Sequence, residues 1–110
     1  MKSDRVYIEH ILECIQNVEE FTREGREAFM NSKLIQAGVI RNLEIMGEAA
    51  KRVSSDLRDR SPGIPWKKMS GLRDVLIHDY MGVDVGLVWN VVAKELPTLK
   101  QQLQAIQGID

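Results

Sequence analysis

Arg73, Asp74, His78 and Tyr80 fall within the eight residues Arg73-Asp74-Val75-Leu76-Ile77-His78-Asp79-Tyr80, and no other stretch of the chain gathers so much chemistry. A guanidinium binds phosphate through a forked pair of hydrogen bonds, and an imidazole moves protons near neutral pH. A phenol offers a hydroxyl that can donate, accept or be modified. Together these groups suit phosphodiester cleavage without a metal. His78 can take a proton from a ribose 2′-hydroxyl or return one to the leaving oxygen, while Arg73 stabilises the charge growing on the phosphate. Asp74, four residues before His78, can orient the imidazole and raise its pKa. Tyr80 can hold the phosphate or serve as an acceptor hydroxyl. The plainer alternative is a solvated helix surface on which Tyr80 only packs.

Helical geometry constrains how these groups meet. Each residue advances about 100° around a helix, which puts Arg73 and Tyr80 within about 20° of each other and His78 about 140° from Arg73. Leu72, Val75 and Leu76 mark the direction of the core, and Asp79 points near it if the helix stays regular. A carboxylate there needs partners. One straight helix therefore cannot aim all three groups at one point. Either the helix deforms near His78, or the site is a groove completed by a neighbouring helix or a second subunit.

The elements that must position the motif are helical throughout. Ile8, Ile11, Leu12, Ile15 and Val18 recur at three- and four-residue steps, predicting a helix from about Asp4 to Glu24 with Asp4 as its N-cap. Gly25 ends or bends it, and Arg26–Met30 adds a short turn before Asn31 or Ser32 caps the next element. A second long helix is expected over Lys33–Ser54, buried along Ile35 (or Gln36), Val39, Ile40, Leu43, Met46, Ala50 and Val53. Gly47 and Ala49-Ala50 are small enough to let another helix approach closely. Arg41, Glu44, Glu48 and Arg52 form its polar side and read as surface ion pairs.

Ser61-Pro62-Gly63-Ile64-Pro65 breaks the helical pattern. A short helical piece from Trp66 to Met69 is expected next, followed by a helix capped by Ser70, carrying the motif and stopping at Gly82. Asp84 caps the last helix, with Val85, Val88, Val92, Leu96, Leu99, Leu103 and Ile106 as its seam, and Pro97 should kink it and free the carbonyl of Ala93. The expected fold is all-α, an up-and-down bundle of four main helices plus short helical turns, in a single domain over residues 1–110.

Composition is that of a globular chain: 44% of its 110 residues are hydrophobic and 28% charged, too apolar for disorder. Cys14 is the single cysteine and is expected to be a buried, reduced thiol. Met1-Lys2-Ser3-Asp4-Arg5 has no leader character, and no apolar run approaches the roughly 20 residues of a membrane span, so a cytoplasmic location is expected. The net charge of −1 is uninformative, but residues 51–73 carry seven basic and two acidic side chains. That basic approach can draw a polyanion toward Arg73, or can simply be solvated. Lys67 and Lys68 within it are candidate RNA contacts, as are Arg41 and Asn42 on the second long helix. His10 stands beside Glu9 and Glu13 and reads as a surface residue. No cysteine pair, glycine-rich phosphate loop or nucleophile elbow is present, so no metal or cofactor is expected.

The motif Arg73, Asp74, His78, Tyr80 resembles the signature of the HepT-like toxins of the HEPN superfamily, small all-α proteins paired with minimal nucleotidyltransferase antitoxins. The approach Ile64-Pro65-Trp66-Lys67-Lys68-Met69-Ser70-Gly71-Leu72 is similar as well. So are Arg41-Asn42-Leu43-Glu44-Ile45-Met46-Gly47-Glu48-Ala49 and Gly82-Val83-Asp84, and the resemblance spans essentially the whole chain. It implies a metal-independent endoribonuclease acting on RNA as a homodimer, with two copies of the motif facing each other across a cleft. His78 would be the acid–base residue and Arg73 the phosphate ligand. In several such pairs the nucleotidyltransferase adds AMP to the motif tyrosine, here Tyr80, which would silence the enzyme. A non-catalytic nucleotide-binding or regulatory subunit of a nucleotidyltransferase complex, and a plain dimerisation scaffold, are the competing readings.

Overall fold

The computed structural model describes residues 3–78 and 82–108, and every regular element among them is helical. The helices are α1 (Asp4–Phe21), α2 (Arg26–Met30), α3 (Lys33–Arg52), α4 (Ser55–Arg60), α5 (Trp66–His78), α6 (Val85–Asn90) and α7 (Leu96–Gln104), with a π-helical stretch Val91–Glu95 joining the last two. Four long helical rods, α1, α3, α5 and the α6–π–α7 rod, form the expected all-α bundle. No described helix is long and apolar enough to cross a membrane.

The buried stripes follow the helical period. Ile8, Ile11, Ile15 and Val18 of α1 meet Val39, Leu43, Met46 and Ala50 of α3, and Leu76 of α5, Val88 of α6 and Leu99 and Leu103 of α7 join the same core. Phe29 of α2 is fully enclosed and its ring packs tilted against Trp89 at 5.4 Å. Cys14 lies in this core, and burial, with the Glu13 charge adding, pushes its thiol up to about 11.

Several boundaries differ from those the sequence predicts. Ser3, not Asp4, occupies the N-cap of α1. The Asp4 carboxylate instead accepts from the Ser54 backbone N–H (2.8 Å) and hydroxyl (2.6 Å), clasping the start of α1 to the end of α3. The second long helix stops at Arg52, and Val53 is extended. Ser54 then caps α4, a helix not anticipated, by accepting from the N–H of Leu57. The first helix stops at Phe21, short of the expected Glu24. Gly25 follows with a left-handed φ of 94° ahead of α2, and Ser32, one of the two expected caps, caps α3.

The motif helix also differs: α5 runs unbroken from Trp66, with no restart at Ser70, whose hydroxyl donates to the Lys67 carbonyl. Trp66 fixes the helix start by donating its indole N–H to the Ser61 carbonyl at 3.0 Å.

Asp84 caps α6, accepting from the N–H groups of Gly86 and Leu87. The rod that follows widens rather than simply kinking. Leu96 donates its N–H to the Val91 carbonyl, five residues back, just before Pro97. A wider turn relieves the clash a proline ring makes with the carbonyl four residues earlier. The extra residue also rotates the seam, so that Val91 rather than Val92 is buried.

Candidate functional site

Gly47 decides where Arg73 sits. A Cβ placed on Gly47 would lie 2.7 Å from the Met69 carbonyl oxygen and closer still to the Arg73 Cβ, so α3 and α5 touch backbone to side chain. Close contact lays the Arg73 side chain along the polar side of α3, only 26% exposed. Its terminal nitrogens reach Glu48 Oε2 at 3.3 Å and Asp74 Oδ1 at 3.0 Å. Arg73 Nε is shielded from solvent with no hydrogen-bond partner among the described residues, so the guanidinium is held by its tips alone.

The network extends on both sides. Glu48 also pairs with Arg52 at 3.1 Å, and Asp74 Oδ1 also accepts from Lys51 Nζ at 2.9 Å. Arg52, Glu48, Arg73, Asp74 and Lys51 thus form one continuous chain of alternating charge across α3 and α5, with three cations against two carboxylates. Hydrogen bonds from Lys51 and then Arg73 hold the Asp74 carboxyl below its ordinary value. Each pair is partly exposed and screened by solvent, so the network orders Arg73 more than it stabilises the fold.

Arg73 opens onto a cleft of about 560 Å³ between α1, α3 and α5. Arg73 and Ile77 line it from α5, Arg41, Glu44, Glu48 and Arg52 from α3, and Tyr7 and His10 from α1. The structure therefore brings the candidate Arg41 to the same cleft as Arg73. Arg41 is exposed and pairs with Glu44 at 3.6 Å.

Other candidates fall elsewhere. Asn42 is buried, accepting from the Asn17 side chain at 3.1 Å and donating to the Gly38 carbonyl at 2.8 Å, so its amide tethers α1 to α3. Lys67 and Lys68 do not line the Arg73 cleft. Lys67 borders a depression with Arg58 and Trp66, and Lys68 pairs with Glu95 across the helices. One helix turn spreads consecutive residues about 100° apart, so basic residues clustered in sequence are scattered in space. Asp74 turns to Lys51 and Arg73 as its hydrogen-bond partners, in place of the expected contact with His78. His78 is exposed at the end of α5, outside the residues that line the Arg73 cleft. Asp79 and Tyr80 lie outside the described residues.

Val75, expected to face the core, is instead 55% exposed. With Leu72, Met69, Leu87 and Val91 it lines an apolar groove of about 460 Å³ on the other flank of α5. Leu87 across that groove is 54% exposed. Sequence reasoning overlooked Tyr7, His10, Glu48, Lys51 and Arg52 as neighbours of Arg73. Glu48 and Lys51 pair across to α5, and Tyr7 and His10 reach the cleft from α1, so spacing along one helix does not reveal them; the only hint was Gly47 beside Glu48.

The family model described as Ribonuclease HepT-like matches residues 11–106, a span that includes Gly47, Glu48, Arg73 and His78. The chain belongs to the HepT-like ribonuclease family. A protein of Thermococcus cleftensis named "Probable ribonuclease HepT" is 44% identical, with 96% of this chain and 97% of that protein covered. The "mRNA nuclease HepT" of Shewanella oneidensis is 26% identical over 89% of this chain and 91% of its own length. A longer Methanocaldococcus jannaschii protein, whose name joins gamma-glutamylcyclotransferase and RNase designations, is 44% identical over 96% of this chain. The chain spans 48% of that relative's length. No solved structure matches the chain.

Proposed function

We propose that this protein is a metal-independent endoribonuclease and the toxin half of a toxin–antitoxin pair acting in the cytoplasm. The observation that carries the reading is Arg73, held between Glu48 and Asp74 at the edge of an open cleft and five residues before an exposed His78, in a chain of the HepT-like ribonuclease family. The name of the Shewanella relative, an mRNA nuclease, supports RNA as the substrate.

The reaction follows from the side chains. His78 removes the proton of a ribose 2′-hydroxyl, whose oxygen attacks the adjacent phosphorus and expels the 5′-oxygen of the next nucleotide. A 2′,3′-cyclic phosphate and a 5′-hydroxyl result once His78 passes the proton it took to the leaving oxygen. Arg73 meets the charge on the non-bridging oxygens. Its present partners are partly exposed carboxylates whose pairing is screened by solvent, so a phosphate can displace them at little cost.

His78 and Arg73 do not share one cleft within the protomer, which supports a homodimeric site. The exposed Val75 lies one turn from His78, and its apolar groove with Leu87 is a natural contact surface beside the motif. The cognate partner is a minimal nucleotidyltransferase that transfers AMP from ATP to the Tyr80 phenol, releasing pyrophosphate. The added phosphate and nucleoside put bulk and negative charge two residues along the chain from His78.

Purified protein should cut RNA in the presence of a chelator and leave cyclic-phosphate or 3′-phosphate ends. Equal cleavage by His78→Ala removes the mechanism, and nucleotide binding without any cleavage assigns the chain to a regulatory role instead. With the transferase, ATP and magnesium, the protein should gain AMP, while Tyr80→Phe stays unmodified.

A further inference from the structure

The cleft beside Arg73 holds more than charge. Tyr7 and His10 stand one turn apart on α1 and line it opposite the arginines of α3 and α5, with Ile77 contributing apolar surface. His10 is exposed, whereas Tyr7 is half-buried and rests on the core. We infer that Tyr7 and His10 form a nucleobase subsite that stacks a base of single-stranded RNA while Arg41, Arg52 and Arg73 track its phosphates. This deepens the ribonuclease reading and rests on it.

Two physical arguments favour a nucleic acid single strand over a small anion. A free phosphate needs only cations, yet this cleft pairs three arginines with two flat rings and two isoleucines, Ile45 and Ile77. Planar rings beside a basic track are what unstacked bases and their backbone require together. A duplex is disfavoured, because its bases are stacked inside and cannot reach α1. Glu44 and Glu48 line the same cleft and neutralise part of its charge through Arg41, Arg52 and Arg73. Phosphate affinity is thereby moderated, so base stacking must supply a measurable share of binding. The RNA path then crosses α1, α3 and α5, away from Lys67 and Lys68.

A short fluorescein-labelled single-stranded RNA with 2′-O-methyl groups cannot be cut through its 2′-oxygens and reports binding alone by anisotropy. His10→Ala and Tyr7→Leu should each weaken binding about five- to tenfold, within the range of lost base stacking. Tyr7→Leu keeps apolar contact with the core, and circular dichroism melting checks that both variants fold. An abasic nucleotide scanned along the oligonucleotide should weaken wild-type binding at one position and have no further effect there in the variants. Lys67→Ala removes a charge outside the cleft and should leave affinity within twofold. Unchanged affinity in folded His10→Ala and Tyr7→Leu, or an equal loss in Lys67→Ala, overturns the subsite. Wild-type protein that binds the methylated strand through Tyr7 and His10 but never cuts unmodified RNA overturns the ribonuclease reading and leaves the subsite standing.

Discussion

Gly47 on α3 and Arg73 on α5 meet with no room for a methyl group between them. The hypothetical Cβ on Gly47 would press into both the Arg73 side chain and the Met69 carbonyl, which lies 2.7 Å away. The helix that carries the motif is thus seated by a residue that has no side chain.

Gly47→Ala should therefore separate α3 from α5. Overpacking of this kind costs about 1–3 kcal/mol, readable as a lower midpoint in urea denaturation. Because Arg73 moves with α5, RNA cleavage should fall further than the lost stability explains when assayed where the variant is fully folded.

Arg73 itself tests the role of a forked donor. Arg73→Lys keeps a positive charge but cannot offer two parallel hydrogen bonds. Both Arg73→Lys and Arg73→Ala should lower kcat/KM by about 100-fold or more, the effect of losing a transition-state donor. Their unfolding free energies should change by only about 1 kcal/mol, since the Glu48 and Asp74 pairs are partly exposed. Activity in Arg73→Lys close to wild type would show that charge alone suffices.

Asp74 supplies a pH signature. Hydrogen bonds from Lys51 and Arg73 hold its carboxyl below the ordinary value of 3.8. A lowered folded pKa means that the stabilisation is present above the unfolded pKa and disappears as pH falls through the folded one. Asp74→Asn should unfold more easily than wild type at pH 7. The gap should close as denaturation is repeated below about pH 4, where the unfolded carboxyl is already protonated.

The apolar flank of α5 bears on assembly. Val75→Asp combined with Leu87→Asp puts carboxylates into the groove that the homodimer is proposed to cover. Sedimentation should show a monomer where the wild type gives a dimer, with cleavage lost in parallel. A dimer of unchanged affinity would place the contact on another surface.

Much of the fold was legible in the residues because helical periodicity is local. Ile8, Ile11, Ile15 and Val18 repeat at helical spacing, and the same four are buried. The caps Ser32 and Asp84 act on backbone groups two or three residues away, so their types announce them. The π-helical turn before Pro97 was foreshadowed only as a kink, because the way a rod relieves a proline depends on what it packs against.

Tertiary contact decided the rest. The Arg-to-His spacing and the resemblance of the motif marked where the catalytic site is proposed. Spacing along one chain cannot show that Glu48 and Lys51 hold Arg73 and Asp74, that Asn42 turns inward to Asn17, or that Val75 faces out. Nor does it show Tyr7 and His10 arriving beside Arg73 from a helix more than sixty residues earlier. A helix displays residues in every direction, and only the packing of its neighbours selects which become core, ion pair or cleft. Here the absent side chain of Gly47 lets α5 approach α3 closely and so sets where Arg73 lies.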